Sequence, residues 1–168
     1  MKKLSMLLIL LGLLGCQQDK IGYVDHVRLM ENNNEKTDIE AKYKEKSTVL
    51  NKKRDSISQA FQLEAQALQT KIESMSQQKA QQEYDLLQQR GQFIGQQLQN
   101  EEQLLQQQGQ AEMDSLVRRV KDEIKDFGKA NGYSYILTAG EGGSVLYGKD
   151  NQDLTDQIIK IVNDKYGN

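Results

Sequence analysis

The sequence predicts a mainly α protein in which one long antiparallel helical hairpin stands on a small three-stranded β body. Three observations predict it. Across residues 39–127, apolar side chains recur in steps of mostly three, four and seven: Tyr43, Leu50, Ile57, Phe61, Leu68, Ile72 and Met75, then Leu87, Ile94, Leu98, Leu105, Met113, Val117, Val120, Ile124 and Phe127. That spacing lays one narrow stripe along a helix and buries only a seam. The chain has no Pro and is 37% hydrophobic, so helix is uninterrupted and the core is modest. Runs rich in β-branched and aromatic residues fall outside the stretch, at Ile21–Asp25 before it and at 133–138 and 144–148 after it.

Met1-Lys2-Lys3 is a short basic segment, and 4–14 is an apolar one too short to anchor stably across a bilayer. It ends in Leu13-Leu14-Gly15-Cys16, which resembles the bacterial lipobox, where the signal is cut just before a lipid-bearing Cys. The expectation is a lipoprotein signal peptide at 1–15 and a lipidated tether at 16–20. Cys16 is the only Cys, so no intrachain disulfide competes for it. The alternative is an ordinary secretory signal with an incidental Cys, giving a soluble periplasmic protein. Either way the mature chain works outside the cytoplasm, without ATP. Gln17, in place of the Asp that usually retains lipoproteins at the inner membrane, leans towards the outer membrane.

Ile21-Gly22-Tyr23-Val24-Asp25 reads as a short strand with Ile21 and Tyr23 on one face and Val24 on the other. Val27, Leu29 and Met30 suit a helical opening, and Asn34 is a candidate cap for the long helix. His26 is the only His, and one imidazole without a second soft ligand makes no metal site. Asp25 reads as a cap rather than a catalyst.

The long stretch must double back or run as a rod of about 140 Å. The preferred reversal is at 74–78, where Ser74 and Ser76 are the best helix-capping residues; Arg90-Gly91-Gln92 is the alternative tip. The hairpin is expected over 34–130. Gly91, Gly95 and Gly109 fall inside its second helix, as tolerated surface glycines or as bending points. Roughly 19 Gln between Gln59 and Gln110 give helix without charge.

Asn131-Gly132 stops the helix. The run 133–138 is strand-like, Gly140-Glu141-Gly142-Gly143 a hairpin turn and 144–148 a returning strand. The glycine-rich turn lacks the Lys-Ser/Thr of a phosphate loop. Asp153 is expected to cap a last helix over 153–166, with Asp156 at its third position and Leu154, Ile158, Ile161, Val162 and Tyr166 on one apolar face.

The formal charge is −2, and −4 once Lys2 and Lys3 are removed. Between Lys36 and Lys129 about fifteen basic and about fifteen acidic residues leave the arms near neutral. No basic stripe with interleaved aromatics points to nucleic acid. One His, one Cys and no nucleotide loop give no basis for an enzyme, a metal or a cofactor. Three short strands and a helix cannot close a core alone, so the body is expected to assemble with copies of itself.

In order and local motifs the chain resembles the Skp/OmpH family of periplasmic chaperones. The resemblance rests on Ile21 through Asp25, on Ile124-Lys125-Asp126-Phe127-Gly128-Lys129-Ala130-Asn131-Gly132-Tyr133, on Tyr135-Ile136-Leu137, on Val145-Leu146-Tyr147-Gly148 and on Asp153-Leu154-Thr155-Asp156. It covers nearly all of the mature chain. It implies a trimer with helical-hairpin tentacles around a cavity, holding unfolded outer-membrane proteins without ATP. On that reading, client contacts fall to Phe61, Leu68, Ile72, Met75, Leu87, Phe93, Ile94 and Leu98. The trimer body falls to Ile21, Tyr23, Val24, Tyr135, Ile136, Leu137, Val145, Leu146 and Tyr147. The near-neutral charge and the lipid anchor both depart from the best-known members. The rival expectation is a coiled-coil structural or adaptor lipoprotein of the envelope.

Overall fold

A computed structural model describes residues 19–166; the expected signal peptide at 1–15 and the lipidation site Cys16 lie outside them. The described residues divide into two compact units, a body over 19–33 and 120–166 and an arm over 34–119.

In the body, β1 (Ile21–Asp25) and β2 (Tyr135–Ala139) pair in parallel, Ile21 opposite Tyr135 and Asp25 opposite Ala139. Alternation along β1 buries Gly22 and Val24 and turns Ile21 and Tyr23 to the other side. Asp25 ends the strand and caps α1 (His26–Glu31): its Oδ1 accepts from the N–H groups of Val27 and Arg28, each at 3.0 Å. His26 Nδ1 lies 2.8 Å from the Ala139 carbonyl, tying the α1 junction to the end of β2.

The last helix, α4 in chain order (Thr155–Tyr166), packs on α1 and β1. Leu154, Ile158 and Val162 are its buried side, with Val24 and Leu29 also in the core. Leu154 explains Gly22, because its Cδ1 comes within 2.4 Å of where a Cβ would stand. The helix starts two residues later than expected. Asp153 still accepts from the Thr155 N–H at 2.8 Å, but the first helical carbonyl is that of Leu154, which accepts from Ile158. Asp153 therefore caps from one position outside the usual site.

Two further expectations are corrected. The strand expected at 133–138 begins at Tyr135, because Tyr133 is used to close the preceding helix. Gly132 takes φ +70°, the Tyr133 N–H donates to the Gly128 carbonyl at 2.9 Å, and the Phe127 and Tyr133 rings stack at 5.9 Å. The third strand at 144–148 does not form, so the sheet has two strands among the described residues. Gly140 and Gly142, both at positive φ, make the expected turn, and the Val145 N–H reaches the Thr138 carbonyl at 3.1 Å. Pairing stops after one bridge, to Ala139. By Gly148 the backbone lies against the ring of Tyr23, so the segment crosses the sheet and does not run along its edge. Leu146 and Tyr147 are left 100% and 86% exposed.

The arm is built from α2 (Asn34–Ile72) and α3 (Gln77–Ala130), whose last turns belong to the body. Asn34 is the first helical residue and not the cap, which shifts the capping position to Asn33. At the tip, Ser74 and Met75 donate back to the Lys71 and Ile72 carbonyls, and the Ser76 Oγ accepts from the Lys79 N–H at 3.4 Å. Thus Ser76 opens α3, while Ser74 finishes α2.

Five ion pairs bridge the two helices: Glu35–Arg119, Lys42–Glu112, Lys53–Glu101, Arg54–Glu102 and Glu64–Arg90. The step from Glu35 to Glu64 along α2 equals the step from Arg119 back to Arg90 along α3, so one register holds throughout. Two of the three helical glycines have a cause in that register. A Cβ on Gly91 would stand 2.9 Å from Phe61 Cζ, and one on Gly109 would stand 3.2 Å from Tyr43 Cδ1, whereas Gly95 faces open space. The rings of Phe61 and Tyr43 fill the places where side chains are missing.

The three glycines therefore respond differently to Ala. Gly95→Ala gains helix propensity of about 1 kcal/mol without a contact to disturb, and the melting temperature should rise by a few degrees. Gly91→Ala drives a methyl into Phe61 and should give no gain or a loss. Thermal unfolding of the two variants decides; equal stabilisation would mean that Phe61 is not packed over Gly91.

Candidate functional site

Two apolar surfaces stand out, and each lies within one unit. On the arm, Ile57, Phe61, Leu68, Ile72, Leu87, Ile94 and Leu98 are half-buried, because each spends one side on the opposite helix. Met75 is half-buried at the tip, where it borders an open groove with Leu68, Leu86 and Leu87. Among the eight expected contact residues, Phe93 is the one that turns fully outward, at 67% exposure.

Sequence reasoning missed the rest of the outward set. Val49, Leu63, Tyr84, Leu86 and Leu104 are all exposed large apolar residues. Their signal was present as apolar residues out of phase with the stripe; Leu86 and Leu104 sit directly before the seam residues Leu87 and Leu105. A residue one step from a seam is turned about 100° away from it, so it faces solvent.

Ion pairs occupy about half of the charged side chains on the arm. Lys42 Nζ donates to both carboxylate oxygens of Glu112, at 2.7 and 2.9 Å, and Lys53 does the same to Glu101 at 2.7 Å. Hydrogen bonds from Lys42 and then Tyr43 hold the Glu112 carboxyl below its ordinary value, and the same bond to Glu112 raises Lys42.

On the body, Ile21, Tyr23, Leu137, Val145, Leu146 and Tyr147 border one open groove beside Gly148 and Gln152. Ile21, Tyr135, Leu137, Leu146 and Tyr147 are exposed, whereas Val24 is buried on the opposite face and Ile136 packs towards Gly128. The nine expected body residues therefore separate into an outward group and an inward pair. Around the core, Arg28 reaches Asp153 at 3.1 Å and Asp156 at 3.3 Å. Burial pushes the Asp153 carboxyl up, but hydrogen bonds from Thr155 together with Arg28 outweigh it and leave it below its ordinary value. Glu123 is held low by hydrogen bonds from Lys165 at 2.5 Å and Tyr166 at 2.7 Å.

Among the described residues no group of three His, Cys, Asp or Glu side chains is placed to hold a metal ion, and no helix is long and apolar enough to cross a membrane.

The family described as Outer membrane protein (OmpH-like) matches residues 20–162. A crystal structure of a candidate OmpH-like outer membrane chaperone from Caulobacter crescentus CB15 superposes with a TM-score of 0.77 at 17% sequence identity, covering 91% of this chain and 89% of that one. At that identity the likeness establishes a shared fold: long helices with a small sheet body. No curated protein matches the chain.

The lowered carboxyls set a pH dependence. A carboxyl whose folded value lies below its unfolded one contributes stability above the unfolded value, and that contribution is lost as pH falls through the folded value. Glu112, Glu123 and Asp153 all have this sign. Stability should be steady near neutrality and fall progressively below the ordinary carboxylate range. Glu123→Gln should lower the melting temperature at pH 7 and flatten the acid limb between pH 5 and 3, read by thermal unfolding at each pH. An acid limb of unchanged slope would show that Glu123 carries none of it.

Proposed function

Because the chain belongs to the OmpH-like outer membrane protein family, we propose that it is an ATP-independent holdase chaperone for unfolded outer-membrane proteins in the cell envelope. The observation that carries this reading is the distribution of apolar side chains on the arm. Leu63 and Phe93 face solvent, Val49 and Leu104 border one open groove with Leu50 and Leu105, and Leu86 borders the groove at the tip, with Gln and charged residues between these patches. Such a surface offers many weak contacts to a mobile chain and no single deep pocket. A spacer or adaptor has no use for that exposure, since a coiled coil that only bridges distance is better kept polar outside its seam.

The working form in this proposal is a homotrimer assembled through the outward body residues Ile21, Tyr23, Tyr135, Leu137, Val145, Leu146 and Tyr147. A two-stranded parallel sheet with one bare face is short of cover on its own, which supports assembly. The Leu13-Leu14-Gly15-Cys16 motif supports a lipid anchor on Cys16 and a place at the outer membrane, with the soluble periplasm as the alternative.

Four measurements test the reading. The protein should suppress aggregation of a denatured β-barrel protein on dilution, and Leu63→Ser, Leu86→Ser and Phe93→Ser together should weaken suppression several-fold with the fold intact; no suppression by the native chain would favour the adaptor. Because the arm is near neutral overall, binding should weaken little between low and moderate salt, and a steep loss would assign capture to charge. Leu146→Asp with Tyr147→Asp should yield monomers in light scattering. An unchanged oligomer would place the contacts elsewhere. Intact mass of protein from cells should show acyl groups on a chain beginning at Cys16.

A further inference from the structure

The end of the body at which the described chain begins carries a row of lysines that neither apolar surface uses. Lys121, Lys125 and Lys129 recur every fourth residue on the last turns of α3, so they share one face, and all three are exposed. They border an open groove with Tyr133 and Tyr135, over the half-buried Ile124 and Ile136. Lys20 joins the same rim. Its Nζ lies 4.1 Å above the Tyr133 ring and donates to the Asn131 carbonyl at 3.0 Å.

The acidic residues nearby are placed differently. Asp122 and Asp126 stand one position further round the helix and do not line the groove. Asp126 makes a loose 3.9 Å pair with Lys129, and Glu123 is taken by Lys165. Lys121 and Lys125 form no ion pair among the described residues. Asp19 accepts from Ser134 Oγ at 2.7 Å, and the Ser134 N–H donates to the Lys20 carbonyl at 2.8 Å, so the start of the described chain is pinned beside this groove.

Cys16 is three residues from Asp19. An extended chain spans at most about 3.5 Å per residue, so a lipid on Cys16 would hold the groove within roughly 10 Å of a bilayer surface. Lysines lay their stems on apolar surface and present ammonium groups to phosphate, and tyrosines favour the membrane–water boundary. A basic face beside a lipid also supplies the second attachment that a single acyl anchor needs.

We propose that Lys20, Lys121, Lys125 and Lys129, with Tyr133, form a docking face for an anionic phospholipid surface. The proposal rests on the anchored reading for where the membrane lies, and on the face itself for its chemistry. A second copy of the chain is the competing occupant, and the test separates it.

The probe is residues 17–168, which retain every described residue and carry no lipid, in flotation with vesicles of phosphatidylglycerol and phosphatidylcholine or of phosphatidylcholine alone. The chain should bind only the anionic vesicles, and less as salt rises. Each lysine at an anionic surface is worth about fivefold in partition, so Lys121→Gln, Lys125→Gln and Lys129→Gln together should lower it on the order of a hundredfold. The matched arm variant Lys44→Gln, Lys52→Gln and Lys79→Gln should leave it unchanged. Equal binding by the two triple variants, no preference for anionic vesicles, or loss of the oligomer in the first variant without any vesicle binding by the native chain would each overturn the proposal. The mass of Cys16 in cellular protein is read separately. A bare Cys16 with lysine-dependent vesicle binding defeats the anchor and leaves the face standing, whereas an acylated Cys16 without that binding defeats the face alone.

Discussion

Every contact in the arm depends on the register in which α2 and α3 pass each other. A seam that repeats every seven residues is nearly indifferent to sliding by one repeat, since apolar residues meet apolar residues again. The charges remove that degeneracy because their sign changes along the arm. Glu35 faces Arg119, then Lys42, Lys53 and Arg54 face glutamates, then Glu64 faces Arg90. Sliding by one repeat sets Glu35 against Glu112 in one direction and Lys42 against Arg119 in the other. Sliding by about three turns sets Glu64 against Glu101 or Lys53 against Arg90. Exposed pairs of this kind are each worth only about 0–1 kcal/mol, so their effect is on choice of register more than on total stability. The ring-and-glycine contacts act in the same sense: one repeat away, Phe61 meets Tyr84 or Leu98 where it now meets Gly91.

The body has the opposite problem, a core of few side chains. It compensates by closing backbone groups at every change of direction. Asp25 serves the two free N–H groups of α1, Asp153 serves Thr155, and Gly132 with Tyr133 closes the carbonyls at the end of α3. Caps of this type contribute on the order of 1 kcal/mol each, comparable to a partly buried side chain. They cannot cover the second face of the sheet. Val24, Leu154, Ile158 and Val162 fill one side, while Ile21, Tyr23 and Leu137 border open space on the other. Among the described residues that second face has no cover, which is why the proposed assembly is placed there.

Much of this was legible in the sequence where the signal is local. The 3.5-residue recurrence of apolar residues marked the helices, and Ser76 marked their reversal, because both depend on neighbours in sequence. The third strand was misread for a non-local reason. Residues 144–148 have the composition of a strand, but after the Val145–Ala139 bridge the chain passes over Tyr23 to the other edge of the sheet, where Asp153 bridges Tyr23, and no pattern within 144–148 encodes that destination. The helical glycines were read as surface tolerance or flexibility because Phe61 and Tyr43, thirty or more residues away in sequence, supply the reason for Gly91 and Gly109. On the candidate surfaces, the stripe correctly named residues of the seam but not those beside it. Periodicity finds what helices bury in each other; what they leave exposed is the remainder, and Leu63 and Leu86 belong to it.

That remainder resolves two opposing demands on the arm. Apolar side chains must stay accessible for the proposed holding function, yet contiguous apolar area would join arm to arm. The sequence sets Leu63, Leu86, Phe93 and the pair Val49 and Leu104 apart along the arm with Gln and charged residues between, so the exposed apolar area is broken into small patches. Full burial of such a side chain stabilises by about 1.5–3 kcal/mol, and partial burial by less. One contact therefore breaks readily at ambient temperature, while several together retain a long mobile chain. On the proposed reading release would need no nucleotide: a client that begins to bury its own apolar surface would withdraw from these contacts one at a time. Glutamine suits the intervening positions because it supports helix and solubility without adding charge that would select among clients. On the proposed reading, a near-neutral arm with scattered apolar side chains would recognise exposed hydrophobic chain as such.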